Sequence, residues 1–410
     1  MIYLHVPFCG SFCTYCDFYS EICRSGQAFN EYADAVIAEI RSRQEELSMN
    51  MSAHDAVNTL YIGGGTPSVL PLDVLSRIVE VVKSVAEPVE TTSSFEEFTV
   101  EVNPEDIVKR GPEYVRGLIA LGVNRVSMGV QSFDDGILRW MNRRHDARRA
   151  VDAFRILREC GVRNISIDLI FGLSQLTGEM WKATIEKALE LAPEHISAYQ
   201  LSIEEGGALA RMVSDGRYVE ASDEQCRRQY DILCRCLRQS GYHHYEISNF
   251  AKPGFEAVHN SAYWRRVPYV GLGPGAHSLT GNVRSWNSRE LPHRISAVNP
   301  SGDSDTNQIS DLDGNSGLGD DRVPLKTLDG SLATYSSNSE TLSPEDIRVE
   351  RIMLSLRTDK GLEATELYSL ADRAAVDSLL NEGALEVRGT RIRIPEDRLF
   401  TSDEIIRELI

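Results

Sequence analysis

The sequence predicts an α/β protein built on a mainly parallel sheet, and three observations predict it. Six short runs rich in β-branched and aromatic residues recur along the first half of the chain. Amphipathic stretches of helical period separate them. Polar residues and glycines collect at the ends of the runs, as they do where parallel strands open onto one mouth.

In chain order the runs are IYLHV (2–6), TLYIG (59–63), FTVEVN (98–103), RVSMGV (125–130), NISIDLIFG (164–172) and HISAYQLSI (195–203). Each is too short for a full helix and bounded by turn residues. Between them lie FNEYADAVIAEIRSRQEEL, PEYVRGLIALG and DARRAVDAFRILRECG, the last two stopping at Gly122 and Gly161. Regular alternation of strand and helix implies parallel pairing. Six units are too few to close an eight-fold barrel. Yet His5, Gly63, Glu101, Gln131, Asp168 and Gln200 all lie within or just after their runs. Residues 1–295 therefore read as an open, partial barrel.

Residues 296–344 are rich in Ser, Asp, Gly and Asn without sustained periodicity, and read as a flexible insertion or linker. Residues 345–410 read as a second, small α+β unit. A helix starts after Ser343-Pro344-Glu345, a helical region spans 364–382, LEVRG and RIRI form a hairpin, and a last helix covers 402–410. That pattern is winged-helix-like. Its ten Lys and Arg against fifteen Asp and Glu argue against DNA binding.

Composition narrows the function. A formal net charge of -18 is wrong for a general binder of nucleic acid or anionic membrane. No apolar stretch reaches membrane-spanning length. No signal peptide is visible at MIYLHVPF, so the cytoplasm is the expected compartment. Eight cysteines in 410 residues are not a disulfide scaffold. Cys23, Cys160, Cys226, Cys234 and Cys236 read as free thiols. Cys234 and Cys236, two apart on a helix, diverge by about 200° and do not share a metal easily.

The remaining three fall in HVPFCGSFCTYCDFYS, His5 to Ser20. Structural zinc wants four closed ligands, usually as paired knuckles, and no second knuckle exists. Cys23 or His5 could in principle supply a fourth ligand, so zinc stays an alternative. A four-iron cube, held by one thiolate per iron, matches better. Cys9, Cys13 and Cys16 would wrap three corners and leave the fourth iron to the amine and carboxylate of a small molecule. That is the logic of an S-adenosylmethionine (SAM) protein in which one electron cleaves the sulfonium C–S bond. Tyr15, before the last thiol, would pack near the adenine. GGGTPS, Gly63 to Ser68, offers bare backbone N–H groups to the methionine end.

The chain is similar, over nearly its whole length, to the HemN/HemW branch of the radical SAM superfamily. The matching pieces are YLHVPFC, the cysteine loop, CDFYS, YIGGGTPS, EVNPE, RVSMGVQSF, MNRR, SIDLIFGL, HISAYQLS, YEISNFAKPG and HNSAYW. The resemblance implies a partial (β/α)6 radical SAM barrel followed by a small C-terminal domain, a [4Fe-4S] cluster and SAM. It implies that Tyr3, Tyr15, Gly64, Gly65 and Thr66 contact SAM, that Glu101 binds its amino group, and that Gln131, Arg143 and Asp168 hold ribose and carboxylate. On the residues alone, Glu101 and Asp168 could equally be satisfied rim carboxylates, and Arg143 a surface cation.

Two members of the branch differ in class. One is the oxygen-independent coproporphyrinogen III dehydrogenase, a radical SAM oxidoreductase; the other is a haem chaperone. The dehydrogenase carries a further cysteine two residues after the third, where this chain has Phe18. It also carries an N-terminal extension for which there is no room before Cys9. HNSAYW, His259 to Trp264, matches the HNxxYW motif of the HemW form. Imidazole is a haem-iron ligand, and Tyr263 and Trp264 would lie against the macrocycle; a hydrogen-bonded rim histidine is the plainer alternative for His259. The resemblance thus implies a haem chaperone rather than an enzyme. Its partners would be haem, haem-acceptor proteins and a haem donor, with a homodimer allowed and neither nucleic acid nor an integral membrane segment involved.

Overall fold

The computed structural model describes residues 1–52, 56–86, 95–289, 335 and 337–410. The six runs are the strands β1 (Ile2–Val6), β2 (Thr59–Gly64), β3 (Glu97–Val102), β4 (Arg125–Gln131), β5 (Ile165–Phe171) and β6 (His195–Gln200). All five neighbouring pairs are parallel. Parallel pairing needs crossovers. Helices α1 (Gly26–Ser42), α2 (Leu72–Ala86), α3 (Pro104–Ala120), α4 (Ala147–Glu159) and α5 (Gly178–Leu191) supply them, and α6 (Asp223–Gln239) follows β6.

Local chemistry sets the helix limits. Ser25, Asn103, Asp146, Thr177 and Ser222 each accept a backbone N–H at an N-cap. Arg43 interrupts the long amphipathic stretch, which becomes two helices, Gly26–Ser42 and Gln44–Ser52. Core residues such as Leu4, Leu60, Val100, Met128, Ile167 and Ile196 are at most 1 % exposed and fill the space between sheet and helices. A buried aliphatic side chain contributes roughly 1.5–3 kcal/mol, so this layer dominates stability.

Three strands extend the sheet beyond the six. After α6, β7 (His243–Glu246) and β8 (Asn249–Ala251) add to one edge in antiparallel sense; after helix α7 (Val258–Trp264), β9 (Val270–Leu272) pairs parallel with the outer side of β1. The order is β9-β1-β2-β3-β4-β5-β6-β8-β7. The Glu39 carboxylate on α1 locks β9 in place. It accepts from Gly273 N at 2.8 Å and Asn287 Nδ2 at 2.7 Å, while Arg43 donates to the Gly271 carbonyl at 2.7 Å.

Most of the 296–344 stretch lies outside the described residues. Its last part is a strand, β12 (Ser337–Thr341), paired antiparallel with β11 (Val283–Asn287), which pairs with β10 (His277–Thr280). All five β12 residues are exposed, so no apolar alternation announces it.

The C-terminal residues pack around their own core, with Ile352, Leu356, Leu362, Leu367, Val376 and Ile392 fully or almost fully buried. Helix α8 (Pro344–Leu356) opens with a capping box between Ser343 and Asp346. The 364–382 region splits at Ala371-Asp372 into α9 (Ala364–Leu370) and α10 (Arg373–Asn381) because Asp372 caps the second. The hairpin strands Glu386–Arg388 and Arg391–Arg393 are joined by Leu362–Glu363, and the last helix covers Ser402–Arg407.

Candidate functional site

One cavity of about 860 Å³ is lined by residues of β2 to β6 and by the loop that follows β1. Cys9, Cys13 and Cys16 all line it. Cys23 does not; its thiol lies 4.0 Å from its near neighbour Ser25 O. The loop is held by backbone-directed bonds from the segment after β4. Thr14 N donates to Met141 O at 3.1 Å, Thr14 Oγ1 to Trp140 O at 2.9 Å, and Asn142 Nδ2 to Phe12 O at 2.7 Å. Arg143 reaches further in, donating to Gly129 O at 2.6 Å and to Cys13 Sγ at 3.4 Å.

The donor set fits an iron–sulfur cube. Three thiols share one short loop, and the Arg143 guanidinium donates to Cys13 Sγ at 3.4 Å. Burial pushes the Cys16 thiol up to about 11, a penalty that binding to iron would remove. Among the described residues no three His, Cys, Asp or Glu groups converge on one point for a single ion. Thiolates at three corners of a cube have no need to.

The glycines of GGGTPS are also required by close packing within the protein. A side chain on Gly63 would meet Glu101 at 2.9 Å, on Gly64 the His5 ring at 2.6 Å, and on Gly65 the Phe8 carbonyl oxygen at 2.7 Å. Protein atoms fill those spaces. Gly64 also sits at φ 109°, a region closed to most side chains. The stretch lets the β2 end pack under the cysteine loop, with Gly65 N bonded to Val6 O at 2.8 Å and Thr66 N to Phe8 O at 2.7 Å. Gly64, Gly65 and Thr66 still line the cavity, and Thr66 Oγ1 lies 3.5 Å from Cys9 Sγ.

The acidic residues reach the cavity from β3 and β5. Glu101 accepts from Tyr61 OH at 2.8 Å and Gly64 N at 3.1 Å. Burial nevertheless raises its carboxyl to about 7, with the nearby Asp168 adding to the rise. Asp168 accepts from Ser127 at 3.0 and 3.1 Å and from Ser166 at 3.4 Å, and burial raises it too. A bulge between Gly129 and Gln131 turns Gln131 into the cavity at φ 68°. Strain of that kind costs roughly 1–3 kcal/mol and gathers at functional sites.

Tyr15 lines the cavity, while Tyr3 does not; Tyr3 donates to, or accepts from, His5 Nδ1 at 3.1 Å beneath the cysteine loop. The HNSAYW side chains fare differently again. His259 is 1 % exposed. Its Nδ1 lies 2.8 Å from Thr59 Oγ1 and its Nε2 3.0 Å from Tyr263 OH. Burial holds the imidazole down to about 3, so it is neutral, and a neutral ring has one donor and one acceptor. Both are used within the protein. Tyr263 packs edge-on against Tyr269 at 4.7 Å. His259, Tyr263 and Trp264 do not line the cavity; of the motif only Asn260 does. His259 is thus buried with both ring nitrogens hydrogen-bonded to protein groups.

Sequence reasoning missed Arg125, Asn142 and Arg144. Arg125 is 1 % exposed, borders the cavity, and finds only Thr99 Oγ1 at 3.4 Å, with Nε unpartnered among the described residues. Arg144 pairs with Asp106 at 3.1 Å and closes over Gly10. The MNRR string was the one signal for two of them.

Among the described residues no helix is long and apolar enough to cross a membrane. Residues 3–188 match the model of the Radical SAM superfamily. The heme chaperone HemW of Lactococcus lactis is 36 % identical over 296 residues, 72 % of this chain and 74 % of that protein. The heme chaperone HemW of Mycobacterium tuberculosis is 29 % identical over 411 residues, 100 % of this chain and 94 % of that protein. The fold is that of coproporphyrinogen III oxidase (HemN) from Escherichia coli, at TM-score 0.74 and 22 % identity, covering 99 % of this chain and 89 % of that one. The chain belongs to the radical SAM superfamily, within the HemW family.

Proposed function

We propose that the protein is a haem chaperone: it binds haem and passes it to acceptor proteins, and it carries a [4Fe-4S] cluster and SAM in its barrel domain. The observation that carries this reading is the set of HemW relatives, one of which aligns along 100 % of the chain. Phe18, where the dehydrogenase pattern asks for a further cysteine, supports it. Cys9, Cys13 and Cys16 would hold the cluster, which in this superfamily supplies one-electron chemistry at SAM when both are bound.

The chain's own residues would then divide the work. Glu101 takes the amino group of SAM, and the Asp168 carboxylate, already oriented by two serines, takes ribose hydroxyls. Gln131 and Arg143 close the remaining side, with Arg143 also beside Cys13. Residues 1–295 form the barrel domain and 345–410 the C-terminal one. The cytoplasm is the proposed compartment.

One experiment separates chaperone from enzyme. Cluster-reconstituted protein receives haem in one arm, and coproporphyrinogen III with SAM and a reductant in the other. Stable haem binding followed by transfer to an apo-haemoprotein, without vinyl products, is the expected result. Vinyl products without haem binding would replace the chaperone with the dehydrogenase.

A further inference from the structure

The floor of the cavity carries the buried Arg125, Ser127 and Ser197 and the half-buried Glu101 and Asp168. The exposed part of the lining mixes the polar Asp17, Gln200, Ser202 and Glu204 with three rings: Phe12 is 51 % exposed, Phe18 71 % and Tyr199 43 %, and all three border the same cavity. Scattered exposed apolar side chains need no explanation, but rings gathered at one mouth do. Phe12 and Phe18 come from the cysteine loop, whereas Tyr199 comes from the end of β6 on the opposite wall. A volume of about 860 Å³ lies near the top of the roughly 300–1,000 Å³ usual for one small-molecule site.

No histidine borders this cavity among the described residues, and the cysteines there are the three of the cluster loop. The mouth therefore offers ring faces, with phenols and carboxylates beside them but no imidazole and no thiol outside the cluster loop. We propose that Phe12, Phe18 and Tyr199 form a second subsite that takes a planar apolar macrocycle by its faces, without ligating a central metal. The inference rests on the haem reading above and adds to it where the macrocycle lies and what is recognised. Aromatic faces stack on a flat π-system in offset or edge-on geometry, and hydrophobic burial adds to the stacking. The macrocycle would cap the polar floor, leaving its charged edge in water.

The test uses the full chain with its cluster reconstituted. Haem, zinc protoporphyrin and metal-free protoporphyrin IX are titrated in parallel and followed by Soret absorbance and porphyrin fluorescence. The three are expected to bind within about threefold of one another, because an absent axial bond cannot discriminate between them. Phe12→Ala and Phe18→Ala should each weaken all three by about tenfold, and Phe18→Trp should retain binding. Iron and sulfide content, measured on every variant, separates loss of the subsite from loss of the cluster. Haem binding that excludes metal-free porphyrin, or that ignores the alanine variants at full cluster content, overturns the subsite and leaves the chaperone reading standing. Failure of the wild-type chain to bind any of the three overturns both.

Discussion

The cysteine loop and helix α7 are both short segments full of groups able to bind a ligand, and the fold uses them in opposite ways. In the loop the backbone is tied down by Thr14, Asn142 and Met141, while thiols and rings face the cavity. In α7 the side chains themselves are spent. Glu97 receives the N–H groups of Val258 and His259 at 2.8 and 3.1 Å, and His259 is held between Thr59 and Tyr263. A residue's chemical type says what it can bind. Whether it still can is decided by how many of its hydrogen-bonding atoms the protein has already used.

The largest effect belongs to the loop. Replacing Cys9, Cys13 or Cys16 with Ser should abolish the cluster, read as iron, sulfide and charge-transfer absorbance, whereas Cys23→Ser should keep it. Equal loss in Cys23→Ser would break the contrast at its root, because a fourth protein ligand would close the open iron.

Helix α7 should respond in stability instead. His259→Ala strands Thr59 and Tyr263 and opens a cavity, so a loss of about 2–4 kcal/mol is expected in urea unfolding. The Soret band of bound haem should stay where it is. A shifted Soret at intact stability would return His259 to the role of iron ligand.

A third prediction concerns pH. The Glu101 carboxyl is raised by burial to about 7, so it gains charge between pH 6 and 8. If it receives the ammonium of SAM, affinity should rise about tenfold across that interval and flatten in Glu101→Gln. Stability runs the other way. The folded state holds this proton more tightly than the unfolded chain, so the contribution is full near pH 4 and is lost as pH rises to about 7. Affinity that is flat with pH in the wild type would remove Glu101 from the amino group.

The smallest effect should come from Asn142→Ala, which deletes one hydrogen bond to the loop backbone at a residue with φ 56°. Cluster content should be normal, and loss of the cluster to a chelator a few-fold faster, in line with about 1 kcal/mol. No change would mean that Thr14 alone suffices.

The six core strands were legible because buried parallel strands leave compact β-branched runs. β7, β8 and β9 were not. HHYE is polar, NFA and VGL are only three residues each, and the strands that join β8 and β9 to the sheet, β6 and β1, lie far away in sequence. The same distance explains the site. Thiol spacing is local and was readable, as was the carboxylate on each strand end. Arg125 reaches the floor through strand register, and the bulge that turns Gln131 inward has no sequence mark beyond a glycine two residues earlier. The burial of His259 was not readable either, because Thr59, its partner, sits 200 positions away.

The pairing of β9 with the outer side of β1 has a consequence in time. β1 leads directly into the cysteine loop, yet one of its two flanking strands is made about 250 residues later. At synthesis rates of roughly 5–20 residues per second, β1 waits on the order of 10–50 s for that neighbour. The thiols emerge first and are finished last. During the interval the strand that feeds the loop has a neighbour on one side only, so the thiols of the nascent chain are more open to solvent and to oxidation than those of the folded product.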